Sequence, residues 1–176
     1  MKKRLAMLVL AGAMVTSSLT GCGLKDSATV ATVAGDEIPA GLANFYARMT
    51  QAQYESMYSS YLGDNMWTTE ASEGKTYEKL VKDEVLKDLE NMYLLEDHMD
   101  DYKISLSDDE KKAIKDAAKE FSKDNDKDDK EKVSGDTEYV ERYLTLATIK
   151  QKMTDAIEAE ADTNVTDDEA KQKAMQ

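Results

Sequence analysis

Apolar residues recur at helical spacing along most of this chain, and the breaks between the periodic stretches divide it into segments. The clearest stretch runs from about Thr76 to Tyr102. Tyr77, Leu80, Val81, Val85, Leu86, Leu89, Met92, Tyr93, Leu95 and Met99 keep a 3.6-residue rhythm there, with Glu96 as the one polar exception. Upstream, Leu42, Phe45, Tyr46, Met49, Tyr54, Met57, Tyr58 and Tyr61 predict a helix from about Ala40 to Tyr61. It begins just behind Pro39, at a position that suits proline. At ~100° per residue its apolar positions cover more than half of the circumference, a wider arc than one core stripe requires. Ser107-Asp108-Asp109-Glu110 has capping-box spacing and predicts a third helix, with Ile114, Ala117, Ala118 and Phe121 on its inner face. A fourth helix is expected from about Thr137 to Ala161, with Val140, Tyr143, Leu144, Ala147, Met153 and Ile157 inward. Thr166-Asp167-Asp168-Glu169 repeats the capping-box spacing and opens a fifth helix toward Gln176.

Strand signals are few. Thr29-Val30-Ala31-Thr32-Val33 is β-prone and alternates weakly, Gly35-Asp36 makes a turn, and Glu37-Ile38 returns as a very short strand. Leu62 to Lys75 reads as a loop, with Gly63, Asp64, Asn65 and Gly74. Asp124 to Lys132 is almost wholly charged and reads as an exposed linker or frayed turn. Pro39 is the only proline, so long stretches carry no breaker. The fold class expected is mainly α with a short N-terminal β-strand or hairpin.

The first residues follow a different logic. Lys2, Lys3 and Arg4 precede an apolar stretch from Leu5 to Val15, and Leu19-Thr20-Gly21-Cys22 closes the segment. That order predicts a removable secretory signal over residues 1–21, with an apolar stretch too short for a good membrane-spanning helix. Leu-Thr-Gly-Cys resembles the lipobox of bacterial lipoproteins, in which the Cys22 thiol receives a diacylglyceryl group before cleavage. A thiolate accepts an alkyl group far more readily than a serine hydroxyl. Cys22 is the only cysteine in the chain, so it has no intramolecular disulfide partner. The expected location is the outer side of a bacterial membrane, lipid-anchored through Cys22. The division expected is a signal over 1–21, a lipid-proximal linker over 22–28, a helical domain over 29–165 and the start of a further helix over 166–176.

Composition narrows the partners. The leader takes away three of the 23 Lys+Arg and none of the 36 Asp+Glu, so the processed chain has a formal net charge of −16. Such a surface repels nucleic acid and anionic headgroups, which argues against a phosphate-binding role. Charged residues make up 34% of the chain, yet apolar residues reach 41%, enough for a helical core.

Val30-Ala-Thr-Val-Ala-Gly-Asp-Glu-Ile38, followed by Phe45, resembles the opening of SurA/PrsA-type extracytoplasmic foldases. In that family a short strand, a glycine turn and a phenylalanine-bearing helix begin the chaperone module. Ile104-Ser-Leu-Ser-Asp-Asp-Glu110 resembles the segment that opens a further helix in the same module. Val165-Thr-Asp-Asp-Glu169 resembles the segment placed before the parvulin-type prolyl isomerase domain, and the lipobox matches the PrsA branch. The resemblance implies a helical, N-terminal-like chaperone module that holds or assists unfolded and exported polypeptides, with no cofactor. It departs from the family where an isomerase domain would follow Glu169: seven residues remain, and the chain has one His and two Phe. No catalytic residue is therefore expected. A truncated parvulin-type isomerase and a structural lipoprotein docking one fixed partner stand as alternatives.

The candidate client-binding residues are Tyr54, Met57, Tyr58, Tyr61, Met66 and Trp67. The first four lie at i, i+3, i+4 and i+7 on one helix face, and the last two share the following loop. Methionine adapts its shape and tyrosine couples apolar area to a polar handle, which suits sequence-tolerant binding. The same broad face also fits a core wrapped by the other helices. Asp124-x-Asp126-x-Asp128 has the start of a calcium loop, but Asp129 and Gly135 stand where glycine and glutamate are needed. A solvated acidic linker is the better reading. His98 lies among Glu96, Asp97 and Asp100 with no second histidine in the chain, so neither a catalytic pair nor a metal site is expected.

Overall fold

The computed structural model describes residues 25–63, 65–72 and 74–160. The leader, Cys22 and the second capping box at Thr166–Glu169 lie outside the described residues. Within them the chain is mainly helical, with two small antiparallel hairpins.

The N-terminal hairpin pairs β1 (Thr29–Val33) with β2 (Asp36–Pro39). Its two-residue turn is Ala34-Gly35, with φ of 53° and 100°. Two left-handed residues match the twist of the flanking strands, and glycine adopts that conformation freely. The hairpin leads directly into α1 (Ala40–Leu62). The first amides of a helix have no partner inside it. Here the Ala40 N–H donates to the Ala28 carbonyl at 2.7 Å, and the Gly41 N–H donates to the Asp26 carbonyl at 2.8 Å. The described part of the expected linker is thus tied into the fold.

The stretch read as a loop after α1 is more ordered than its composition suggests. A 3₁₀ turn (Met66–Thr68) precedes a second hairpin, β3 (Glu70–Ser72) with β4 (Lys75–Thr76). The Thr76 hydroxyl then accepts the Lys79 amide at 3.3 Å and caps α2 (Tyr77–Asp97). This helix stops five residues earlier than its apolar rhythm predicts, at His98, and continues as a 3₁₀ turn through Tyr102. The capping box forms as expected: the Ser107 hydroxyl accepts the Glu110 amide at 3.2 Å, while the Ser107 amide donates to Glu110 Oε2 at 2.7 Å. It opens α3 (Asp108–Asp124).

The charged stretch expected to be a linker instead holds a short helix, α4 (Lys127–Val133), capped by the Asp126 carboxylate on the Asp129 amide at 2.9 Å. Ser134 closes it in a left-handed conformation and is itself buried, at 3% exposure. Its hydroxyl donates to Asp26 Oδ1 and accepts from Asn44 Nδ2, both at 2.9 Å. One hydroxyl therefore joins the N-terminal segment, α1 and the corner before α5 (Thr137–Glu160).

The last helix is the centre of the molecule. It packs on α1, α2 and α3, and none of its residues from Tyr139 to Lys150 is exposed. Val140 and Met153 face inward as expected, but so do Leu146 and Ile149, which the periodicity did not single out. Ile157 is exposed, as is Ala117 on α3, contrary to expectation. A helix contacted from several directions has no single apolar stripe, so its period misleads. Leu146 closes a core of Ile38, Leu42, Val81, Val85, Leu89 and Met92. Phe45 forms a second nucleus with Ala118 and Val140, set edge-on to Phe121 at 5.5 Å and Tyr143 at 5.7 Å. Gly41 lets α1 approach α5 closely, because a Cβ there would lie 2.4 Å from the Tyr139 ring.

Three charged side chains of α5 reach three carboxylates. Arg142 makes a bidentate pair with Glu96, both bonds at 2.6 Å, and lies over the Tyr93 ring at 4.6 Å. Lys150 donates to Asp88 at 2.5 Å. Lys152 donates to both oxygens of the α3 capping residue Glu110 at 2.8 Å. Hydrogen bonds from Lys152 and then Ser107 hold the Glu110 carboxyl down at about 2.

Leu146 is fully buried, so Leu146→Ala should lower stability by about 2–5 kcal/mol, read as a shifted urea midpoint with an unchanged slope. A carboxyl depressed on folding stabilises above its unfolded pKa, and that contribution disappears as pH falls through the folded value. Thermal melts should therefore separate wild type from Glu110→Gln at pH 7. The gap should close as pH drops from about 4.5 toward 2.

Candidate functional site

Along α1 the environment changes halfway. Leu42, Ala43 and Phe45 are buried, whereas Met49, Met57, Tyr58 and Tyr61 are exposed. Composition changes with it. Residues 49–62 read Met-Thr-Gln-Ala-Gln-Tyr-Glu-Ser-Met-Tyr-Ser-Ser-Tyr-Leu, with Glu55 as the one charged side chain, in a protein whose overall charged fraction is 34%. Low charge with aromatic and methionine enrichment is the composition of the centre of protein interfaces.

The six candidates divide into two groups. Met57, Tyr58 and Tyr61 face solvent at 55%, 40% and 85% exposure. Tyr54 is half-buried and links them to the loop: its ring lies 5.6 Å from that of Tyr58 and 6.3 Å from Trp67. Burial raises the Tyr54 phenol above its usual pKa, with Glu84 adding to the effect. Its hydroxyl donates to Glu84 at 3.4 Å, which ties the face to α2. Trp67, also half-buried, donates its indole N–H to Glu55 Oε1 at 2.8 Å. Hydrogen bonds from Gln51 and then Trp67 hold the Glu55 carboxyl below its usual range.

Met66 does not share the surface expected of it. At 2% exposure it is enclosed under the 3₁₀ turn and anchors the loop against α2. Met49 is the reverse case. It continues the stripe of Leu42 and Phe45, which are buried, yet it is 47% exposed. The packing that covers Phe45 ends one turn short of it.

Beside this face runs a shallow groove of about 320 Å³ between α1 and α2, lined by Tyr46, Thr50, Glu84, Val85, Lys87, Asp88 and Asn91. Its polar floor is already paired: Tyr46 Oη donates to Asp88 Oδ2 at 2.6 Å, and Lys150 takes the other oxygen. Burial and then the Asp88 contact push the Tyr46 phenol well above its usual pKa. A phenol held protonated and a carboxylate with both oxygens occupied serve to bind the helices together.

The remaining expectations fall on ordinary surface. His98 is exposed and its Nδ1 lies 3.0 Å from Asp101. Asp126 is occupied as the α4 cap. Among the described residues no three His, Cys, Asp or Glu side chains cluster to hold a metal, and no helix is long and apolar enough to cross a membrane. The exposed half of α1 is thus the feature with most to offer a ligand, and what it offers is apolar and hydrogen-bonding contact. Comparison with known proteins gives no matching family model, no matching characterised protein and no matching solved structure.

Anchor and surface should separate cleanly in urea titrations. Met66→Ala empties an enclosed site and should cost about 2–5 kcal/mol. Tyr61→Ser removes an exposed ring and should leave stability within about 0.5 kcal/mol.

Proposed function

We propose that this chain is an exported, lipid-tethered holder of unfolded polypeptides, related in manner of action to the chaperone module of SurA/PrsA-type foldases. The observation that carries the reading is the second half of α1. It presents Met57, Tyr58 and Tyr61 to solvent on a stretch with a single charge, next to the neighbouring rings of Tyr54 and Trp67. Exposed apolar patches of this kind, rimmed by polar residues, mark sites of interaction. Tyrosine and methionine contact many sequences without demanding one register.

Two further features support it. The Thr29–Phe45 segment that resembles the family's opening folds as a strand pair, a glycine turn and a helix with Phe45 at the bundle's second nucleus. A leader over residues 1–21, removed before Cys22, would place this module where exported chains emerge, through lipid on the Cys22 thiol. Clients would be exported polypeptides in extended or partly folded states, and the reading assigns no catalytic step and no cofactor to these residues.

The purified protein should slow aggregation of a chemically unfolded client at near-equimolar ratio. Tyr58→Ser/Tyr61→Ser should weaken that protection about tenfold, in the range of aromatic contacts at interface centres. Wild-type protein that neither delays light scattering nor binds an apolar peptide would remove the proposal. A single stoichiometric partner recovered in place of many exported chains would favour fixed docking. In cells, Cys22→Ser should abolish incorporation of labelled fatty acid into the protein and leave the uncut, larger precursor on a gel.

A further inference from the structure

We propose that Met49 and Met57 make the exposed face of α1 an oxidation-sensitive surface, whose hold on clients weakens when their thioethers become sulfoxides. Six methionines fall among the described residues. Met66, Met92 and Met153 are buried, Met99 is half-buried, and only Met49 and Met57 are exposed. Both exposed ones belong to one helix and to its single low-charge stretch. Methionine oxidation follows access to the sulfur, so the fold itself sorts these side chains.

The chemistry needs a peroxide-class oxidant and no metal. The thioether sulfur attacks one peroxide oxygen, the O–O bond breaks, and that oxygen stays on sulfur. The other oxygen leaves as hydroxide and takes a proton to become water. Sulfur loses two electrons and the peroxide gains them. An apolar, adaptable side chain becomes a polar, chiral one.

Position gives the change its effect. Met57 stands three residues after Tyr54 and four before Tyr61, so its side chain lies among the aromatic rings of the face. Sulfur–aromatic contact is part of what such a surface offers a client, and a sulfoxide carries a strong hydrogen-bond acceptor into the same space. Met49 lies two turns earlier and extends the apolar area. Oxidation there leaves the core untouched, because the buried methionines remain reduced in the folded state.

The gating of client contact rests on the function proposed above; the selectivity of oxidation does not. The test treats the folded full chain with hydrogen peroxide and maps chymotryptic peptides by mass spectrometry. Cleavage after aromatic residues separates Met49 (Ala47–Tyr54), Met57 (Glu55–Tyr58) and Met66 (Leu62–Trp67). Met49 and Met57 should oxidise about tenfold faster than Met66, Met92 and Met153, as their exposure dictates. Equal rates would overturn the proposal.

A second measurement follows a hydrophobic fluorescent dye and an extended apolar peptide before and after peroxide. Binding should fall by about two- to tenfold, the range set by a lost sulfur–aromatic contact, and return after treatment with methionine sulfoxide reductase. Met49→Leu/Met57→Leu, whatever its starting binding, should lose this response. If both methionines are oxidised and neither dye nor peptide binding changes, the gating is wrong. If the untreated protein binds no peptide, the holder function fails, and the peptide map and dye still decide whether oxidation remodels this face.

Discussion

A helix enclosed by three neighbours must find a partner for every polar group that it carries inward. That demand organises this molecule around α5. Arg142, Lys150 and Lys152 leave it in different directions and end on Glu96, Asp88 and Glu110. Each of these pairs retains some solvent contact, so the attraction itself is modest. Its larger effect is directional. Leaving any of the three cations unpaired beside the core would cost desolvation without compensation, so α2 and α3 settle where their carboxylates meet α5. Among the described residues no buried side-chain nitrogen or oxygen lacks a partner. The apolar layers, with Leu146 against α1 and α2 and Phe45 against Tyr143, then fill the space those pairs define.

The placement of α1 follows from the same centre. Gly41 lets its first turn press on Tyr139, and Asn44 reaches Ser134, which in turn holds Asp26. At ~1.5 Å per residue, a helix of 23 residues is about 34 Å long, more than these anchors near its first turn can cover. Its far half meets α2 through Tyr54 and the loop through Trp67, while Met49, Met57, Tyr58 and Tyr61 are exposed. A helix pinned at one end and bare at the other is a rigid way to present side chains.

Local signals were legible in the residues alone. The β1–β2 hairpin, the capping box at Ser107 and the start of α2 depend on neighbours a few positions away, and each is where the pattern places it. Features set by distant packing were not. Leu146 and Ile149 are buried because α5 has partners on several sides, which no single stripe records. The helix at Lys127–Val133 depends on one aspartate cap inside a run of mixed charges with almost no apolar residue, where composition alone argues for an open chain. Met66 is enclosed and Met49 is exposed for a related reason. A loop residue has no period to reveal that it will be enclosed, and a helical residue cannot announce that its neighbours end one turn earlier. The aromatic face itself was readable from the spacing of Tyr54, Met57, Tyr58 and Tyr61; which of its members see water was not.

Charge decides how such a face can persist. An exposed tyrosine and methionine stripe invites a second copy of the same chain, and at high concentration that contact would bury it. The rest of the molecule opposes this. A formal net charge of −13 makes every approach between copies unfavourable at long range, within a screening length of about 8 Å at physiological salt. That barrier falls with the net charge of the approaching chain, and it is set by the rest of the molecule, since Glu55 is the one charged side chain of residues 49–62. Within the helical bundle α2 carries seven acidic and three basic side chains, whereas α1 beyond Met49 carries Glu55 alone, so charge and apolar exposure are separated along the molecule.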